Sequence, residues 1–379
     1  MGNHVINQSI ENIYSLTPLQ EGMLFHSLDN SLSSEYIVQN EFKVANSMDE
    51  DKVQAALQAL AMKHPVLRTS IVYEKLSKPR QIVLKDRQVE FQVFDFSLLR
   101  EEEKKEKYAE LKKQDIERNF DLQKESLLRV KLIRHGADNN MMIFTYHHII
   151  MDGWSLSILY GDFLRYYQML MEGKTREALT IIVADEKSLL PDYGRYVQYL
   201  EKKDNAKDLA YWKELLAGYE DEARITPMVK SQKTEKQLAR EEIKISKELC
   251  KKLQTLAQSS NVTLSSIMET AWAVTLGYYS NTQDVVFGKI VSGRNIAEIP
   301  NIEKVLGLFI NTVPVRVQIN KSKKIGELID EVKAQDLESI NYSHCALVDI
   351  QNLTVQKGRL INTLFVYENY YVDSVLSPL

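Results

Sequence analysis

The 379-residue chain has only two cysteines, Cys250 and Cys345. Two cysteines cannot build a disulfide framework or a cysteine-rich metal site, and they read as small hydrophobes. No stretch reaches the roughly 18 consecutive apolar residues that a membrane-crossing helix needs, and the start, Met1-Gly2-Asn3-His4, has no apolar signal-peptide core. Neither sign of charge dominates: 48 basic and 52 acidic residues nearly cancel. Without a basic block interleaved with aromatics, no nucleic-acid partner is expected. No short-period repeat or low-complexity tract occurs. These absences point to a cytosolic protein with no membrane partner.

What is present is an ordinary globular composition, 44% hydrophobic and 26% charged, in a chain longer than single cores usually grow. Two lobes are therefore expected, divided near residue 180: residues 1–180 and 181–379. Thr17-Pro18-Leu19-Gln20 is a helix start with a capping box. Tyr36 to Val44 alternates as a strand, Val53 to Leu60 recurs at helical spacing, and Leu67 to Tyr73 returns as a strand. The charged block Glu101 to Lys113, with Glu101–Lys105 and Glu103–Lys107 at i,i+4, predicts a solvated helix. Leu128, Val130 and Leu132 alternate with Arg129 and Lys131 as a further strand. Further helices are predicted over 155–171, 192–203, 207–217, 247–258, 264–279 and 325–340, with strands over 239–245, 283–291, 311–319 and 362–368. Strands alternate with helices in both halves, so the fold class is α/β with mixed sheets.

The chemistry concentrates in Tyr146-His147-His148-Ile149-Ile150-Met151-Asp152-Gly153-Trp154-Ser155. An apolar strand from Met141 leads into two histidines, an Asp-Gly turn follows, and a helix begins. Such a strand can deliver an imidazole to a buried junction, which suits acyl transfer. Neighbouring strand side chains point to opposite faces, so His147 and His148 cannot share one small site. One of them must be buried and structural. The same geometry argues against a shared metal ion, and no metal is expected. Asp152, in a tight turn behind a buried strand, requires a cationic partner. Arg68 and Arg294 are the two candidates, with Arg68 preferred. Gly153 allows close backbone approach and an amide free to donate. His344, His26, Trp154 and Trp272 carry no motif partner and read as packing or satisfied polar residues.

These residues resemble the His-His-x-x-x-Asp-Gly motif of nonribosomal peptide synthetase condensation domains. Other segments agree in order. Leu16-Thr17-Pro18-Leu19-Gln20-Glu21-Gly22-Met23-Leu24-Phe25-His26 resembles the opening motif. Lys63-His64-Pro65-Val66-Leu67-Arg68-Thr69 resembles the second, with Lys63 and Pro65 where Arg and Glu are more usual. Tyr211-Trp212, Phe287 to Arg294 and Gly307 to Arg316 match later motifs, and Val366-Tyr367-Glu368-Asn369 resembles a final one. The resemblance implies two chloramphenicol acetyltransferase-like lobes forming a V around a central tunnel. The first lobe would carry the histidine motif, and the second would be incomplete at its C-terminus. The implied reaction joins a donor aminoacyl or peptidyl thioester to the amine of an acceptor aminoacyl thioester. Both ride on phosphopantetheine arms of carrier proteins, with no cofactor bound directly. The implied partners are donor and acceptor carriers and neighbouring synthetase domains such as adenylation.

Carried over residue by residue, the resemblance makes His148 the active-site histidine, beside Gly153, while His147, Asp152 and Arg68 hold the site together and Arg294 is the alternative partner. Trp154, Ser155, Ser292 and Asn311 are candidate tunnel-lining residues. A free-standing coenzyme A-dependent acyltransferase, an epimerization relative and a non-catalytic carrier-docking relative are the rival readings. The epimerization reading lacks its Glu-Gly-His-Gly-Arg-like stretch in the second half.

Overall fold

A computed structural model describes residues 10–29, 34–44, 48–136, 139–225, 239–320 and 322–368. Two compact units divide the chain. The first takes in the described residues up to Lys202 and the later segment Arg294–Phe309, and the second comprises Lys203–Gly293 and Ile310–Glu368. The division therefore falls after Lys202 rather than at 180. Chain order also does not separate the units, because Arg294–Phe309 returns to the first. Both are α/β with mixed sheets, as the alternation of elements predicts.

In the first unit, β1 (Ile10–Ser15), β3 (Thr69–Val72) and β4 (Arg80–Leu84) form an antiparallel sheet in the order β1-β4-β3. A second sheet orders β2 (Ile37–Val44), β7 (Asn140–His147), β6 (Leu128–Arg134) and β5 (Glu90–Asp95), with only β5 and β6 parallel. Around them lie α1 (Pro18–Asp29), α2 (Glu50–Lys63), α3 (Glu101–Glu117), α4 (Ser155–Met171), α5 (Arg176–Ser188) and α6 (Tyr193–Glu201). Side-chain caps start several of these helices. Asp49 accepts from the Lys52 amide, Thr175 from the Ala178 amide and Asp192 from the Gly194 amide. Before α1, Thr17 and Gln20 exchange bonds as a capping box, at 2.9 and 3.3 Å.

Arg129 and Lys131, which alternate with the apolar residues of β6, are both buried. α3 covers them and supplies Asp115, which pairs with Lys131 and with Thr145 of β7. Arg129 donates to the carbonyls of Asp115 and Asn119 at 2.6 and 2.7 Å and lies 3.9 Å from the Phe120 ring centre. Buried charge is tolerated here because each group meets an opposite charge or a hydrogen-bond acceptor.

In the second unit, β8 (Asp284–Val291) pairs antiparallel with β9 (Asn311–Gln318) and parallel with the short β10 (Leu364–Phe365). Val285, Phe287, Val315 and Val317 face a core with Ala273, Leu276, Leu328 and Val332, from α9 (Leu264–Ser280) and α10 (Ile325–Ser339). Val286 and Val313 face the opposite core with Trp212 and Ile350, from α7 (Asn205–Leu215) and α11 (Leu347–Asn352). The remaining helix, α8 (Lys247–Ser259), packs Ala257 on Ile267 and Ile329. The strand expected over 239–245 is not formed, and that over 362–368 shrinks to two residues. Asn369 of the final motif lies outside the described residues. No described helix is long and apolar enough to cross a membrane.

Candidate active site

The strand β7 ends at His147 because the next three residues, His148–Ile150, close into a 3-10 turn. This turn sets the two imidazoles apart. His147 is 3% exposed; its Nδ1 accepts the Ile149 amide at 3.2 Å, and Tyr36 and Phe120 flank the ring. Burial, aided by the neighbouring His148, lowers its pKa from 6.5 to about 4, so it stays neutral. His148 is half-buried. Its Nδ1 is sealed and has no hydrogen-bond partner among the described residues, leaving Nε2 as the nitrogen a substrate can meet. The two rings thus sit in different surroundings, His147 at the strand end and His148 on the turn.

The turn carrying His148 is gripped by its backbone. The His148 amide donates to the Tyr36 carbonyl at 2.7 Å. From α1, the Gln20 amide nitrogen donates to the Ile149 carbonyl at 2.9 Å and to Gln81 at 3.0 Å, and Gln81 donates back at 2.9 Å. Both glutamines are buried. The opening motif is thereby tied to the histidine turn, a link its helix-cap signature did not reveal.

Asp152 is fully buried, and its partner is Arg294, not the preferred Arg68. Arg294 Nη1 donates to Oδ2 at 2.8 Å and Nη2 to Oδ1 at 3.0 Å, a two-pronged pairing that suits a planar guanidinium. Arg68 instead bonds Glu11 and the carbonyls of Ala61, Leu84 and Lys85. The chain turns at Gly293, with φ of 63°, and delivers Arg294 to the first unit.

The late segment Gly307-Leu308-Phe309 completes the Asp152 shell. The Phe309 amide donates to Asp152 Oδ2 at 2.9 Å, and the Gly307 carbonyl accepts from the Asp152 amide at 3.3 Å. A Cβ on Gly307 would stand 2.6 Å from the Tyr193 ring, so only glycine fits. Tyr193 and Tyr196 bond the Leu308 and Phe309 carbonyls at 2.6 and 3.4 Å, and Arg294 stacks 4.4 Å from the Phe309 ring centre. These tyrosines carry no motif signature beyond their i,i+3 spacing on α6.

One tunnel-lining candidate is corrected. Ser155 is fully buried, its hydroxyl bonding Asp152, Gly307 and Arg294 at 2.9–3.1 Å, so it belongs to the Asp152 shell. Asn311 gives its amide to the carbonyls of Ser343 and Cys345 at 2.8 and 2.7 Å. Trp154, Gly153 and Ser292 are half-buried; the Gly153 carbonyl accepts the Leu156 amide at 3.2 Å. In the second motif, His64 meets Asp162 at 2.7 Å, and His344 meets Asp208 at 2.8 Å. Among the described residues, no group of three or more His, Cys, Asp or Glu is arranged to hold a metal ion.

A family model described as "Condensation domain" matches residues 10–377. Tyrocidine synthase 2 of Brevibacillus parabrevis is 36% identical over 363 residues, covering 96% of this chain and 10% of that protein. Gramicidin S synthase 2 of Brevibacillus brevis is 36% identical over 365 residues, covering 96% of this chain and 8% of that protein. The chain thus spans a tenth or less of these relatives' length. Among solved structures, the first condensation domain of the calcium-dependent antibiotic synthetase, in complex with a substrate analogue, superposes with a TM-score of 0.73 at 16% identity. That match covers 96% of this chain and 82% of the other. The starter condensation domain of rhizomide synthetase RzmA gives 0.72 at 18% identity, covering 93% and 78%. At these identities the structures speak for the fold.

Proposed function

The chain belongs to the condensation-domain family, and from that premise we propose that it joins a donor aminoacyl or peptidyl thioester to an acceptor aminoacyl thioester on carrier phosphopantetheine arms. The acceptor amine attacks the donor carbonyl carbon, a C–N bond forms, the C–S bond breaks, and the donor arm leaves as its thiol. The amine proton passes to the departing sulfur, directly or through His148 Nε2. The observation that carries this reading is His148 itself, half-buried at the end of a strand on a turn held from both sides.

The surroundings of His148 favour positioning over full proton abstraction. For Nε2 to accept, the ring proton must sit on Nδ1, which has no partner among the described residues. A buried unpaired donor costs about 1–3 kcal/mol. Holding amine and carbonyl together can supply about 7–11 kcal/mol, whereas a positioned base adds about 10²–10⁴-fold. Asp152, His147 and Arg294 support the turn and its surroundings rather than touching substrate. The carriers and an adenylation domain would come from neighbouring parts of a synthetase.

The deciding experiment incubates the protein with two loaded carriers and reads dipeptidyl thioester by intact mass. Its absence, with turnover of free coenzyme A thioesters instead, would replace this reading by a stand-alone acyltransferase.

A further inference from the structure

Arg68, displaced from the role the sequence suggested, faces a cavity of its own. Its side chain is 3% exposed. Nε donates to the Ala61 carbonyl at 2.8 Å, and Nη1 donates to Glu11 at 2.7 Å, to the Lys85 carbonyl at 3.1 Å and to the Leu84 carbonyl. Nη2 bonds to nothing among the described residues, yet it is not one of the sealed, partnerless nitrogens. Arg68 lines a cavity of about 400 Å³, bounded by α2, α5 and the turn after β4.

Lys85, Arg176 and Lys187 line the same cavity, against the carboxylates Glu11 and Asp86. Four cationic and two anionic residues thus line it, an excess of two positive charges. Both Glu11 oxygens are already committed, one to Arg68 and one to Lys187 at 2.8 Å. Gln58 on the α2 wall also lines the cavity, and its Oε1 is buried without a partner among the described residues. Ala55, Met62 and Leu179 supply apolar wall.

We propose that this cavity binds a small organic anion, its phosphate or carboxylate head on Arg68 Nη2 and Gln58 Nε2 and its short apolar body on Ala55, Met62 and Leu179. A guanidinium N–H not used within the protein can give an anion a charge-assisted bond, roughly twice as strong as a neutral one. The volume lies at the low end of small-molecule sites, which suits a single-ring or short-chain acid. The excess positive charge at the rim, from exposed Lys85 and Arg176, draws such a ligand in.

Isothermal titration of the full chain with phenyl phosphate, benzoate and inorganic phosphate tests this without carriers or turnover, so its result is independent of the condensation reading. Saturable one-to-one binding of phenyl phosphate or benzoate is expected, the stronger of the two naming the head group. The K85E/R176E pair, with both residues exposed, should keep the unfolding midpoint and weaken binding by about tenfold or more. Ala55→Leu should weaken the two aromatic probes and leave inorganic phosphate unchanged. No saturable binding of any probe to the unaltered chain would overturn the proposal. So would equal affinity in the chain and in K85E/R176E.

Discussion

Arg294 and Asp152 meet through two parallel hydrogen bonds of 2.8 and 3.0 Å, although 142 positions separate them in the chain. The pair closes on Ser155 and on the Gly307–Phe309 backbone, so three segments of the chain share one carboxylate. Removing the cation should strand that buried charge. Arg294→Ala is expected to cost about 3–5 kcal/mol in urea unfolding. Arg294→Lys, with charge but no fork, should fall between that and the unaltered chain. An Arg294→Ala variant of unchanged stability would contradict the shared-shell reading.

His148→Ala should leave unfolding unchanged, because the ring is half-buried and its Nδ1 bonds nothing among the described residues. Product formation from loaded carriers should fall about 10²-fold or more while carrier binding persists. Near-normal condensation would remove His148 from the chemistry.

His147 predicts an acid-sensitive fold. Its folded pKa, about 4, lies below the ordinary 6.5, so between those values the unfolded chain binds the proton more readily. The stability it contributes is complete above about pH 6.5 and is lost as pH falls toward 4, about 3 kcal/mol in all. His147→Asn should flatten that part of the stability-versus-pH curve. An unaltered slope in the variant would show that the proton is taken up elsewhere.

Gln20→Leu should strand the Ile149 carbonyl and Gln81, at about 1–3 kcal/mol for each buried group. Because Gln20 grips the turn rather than the substrate, kcat should fall while KM for the loaded carriers holds. The Gln20→Leu/Gln81→Leu pair should cost less than the sum of its single changes, since the two amides bond each other. Strict additivity would break the proposed coupling.

In the second unit, Glu269 is fully buried beside Asp336, and Lys289 reaches both at 2.5 Å. Burial, then Asp336, pushes its carboxyl from 4.5 up to about 8 against the pull of Lys289. The folded chain therefore holds a proton that the unfolded chain releases, and stability should decline as pH rises from about 4.5 to 8. Glu269→Gln, permanently neutral, should abolish the decline and be the more stable form near pH 8. Parallel curves for the two proteins would rule this out.

The α/β class, most elements and the capping box at Thr17 and Gln20 were legible in the sequence. Each rests on local periodicity or on the alternation of a strand, which neighbouring residues alone determine. Tertiary structure decided the partner of Asp152, the burial of Arg129 and Lys131 under α3, and the loss of Ser155 from the candidate lining. It also decided that the unit boundary follows Lys202 and that Arg294–Phe309 rejoins the first unit. Charge pairing and burial depend on which surfaces meet, and surfaces meet through long-range packing that no local spacing encodes. A pattern of residue types could therefore name Asp152 as needing a cation, while only the fold brought Arg294 to it.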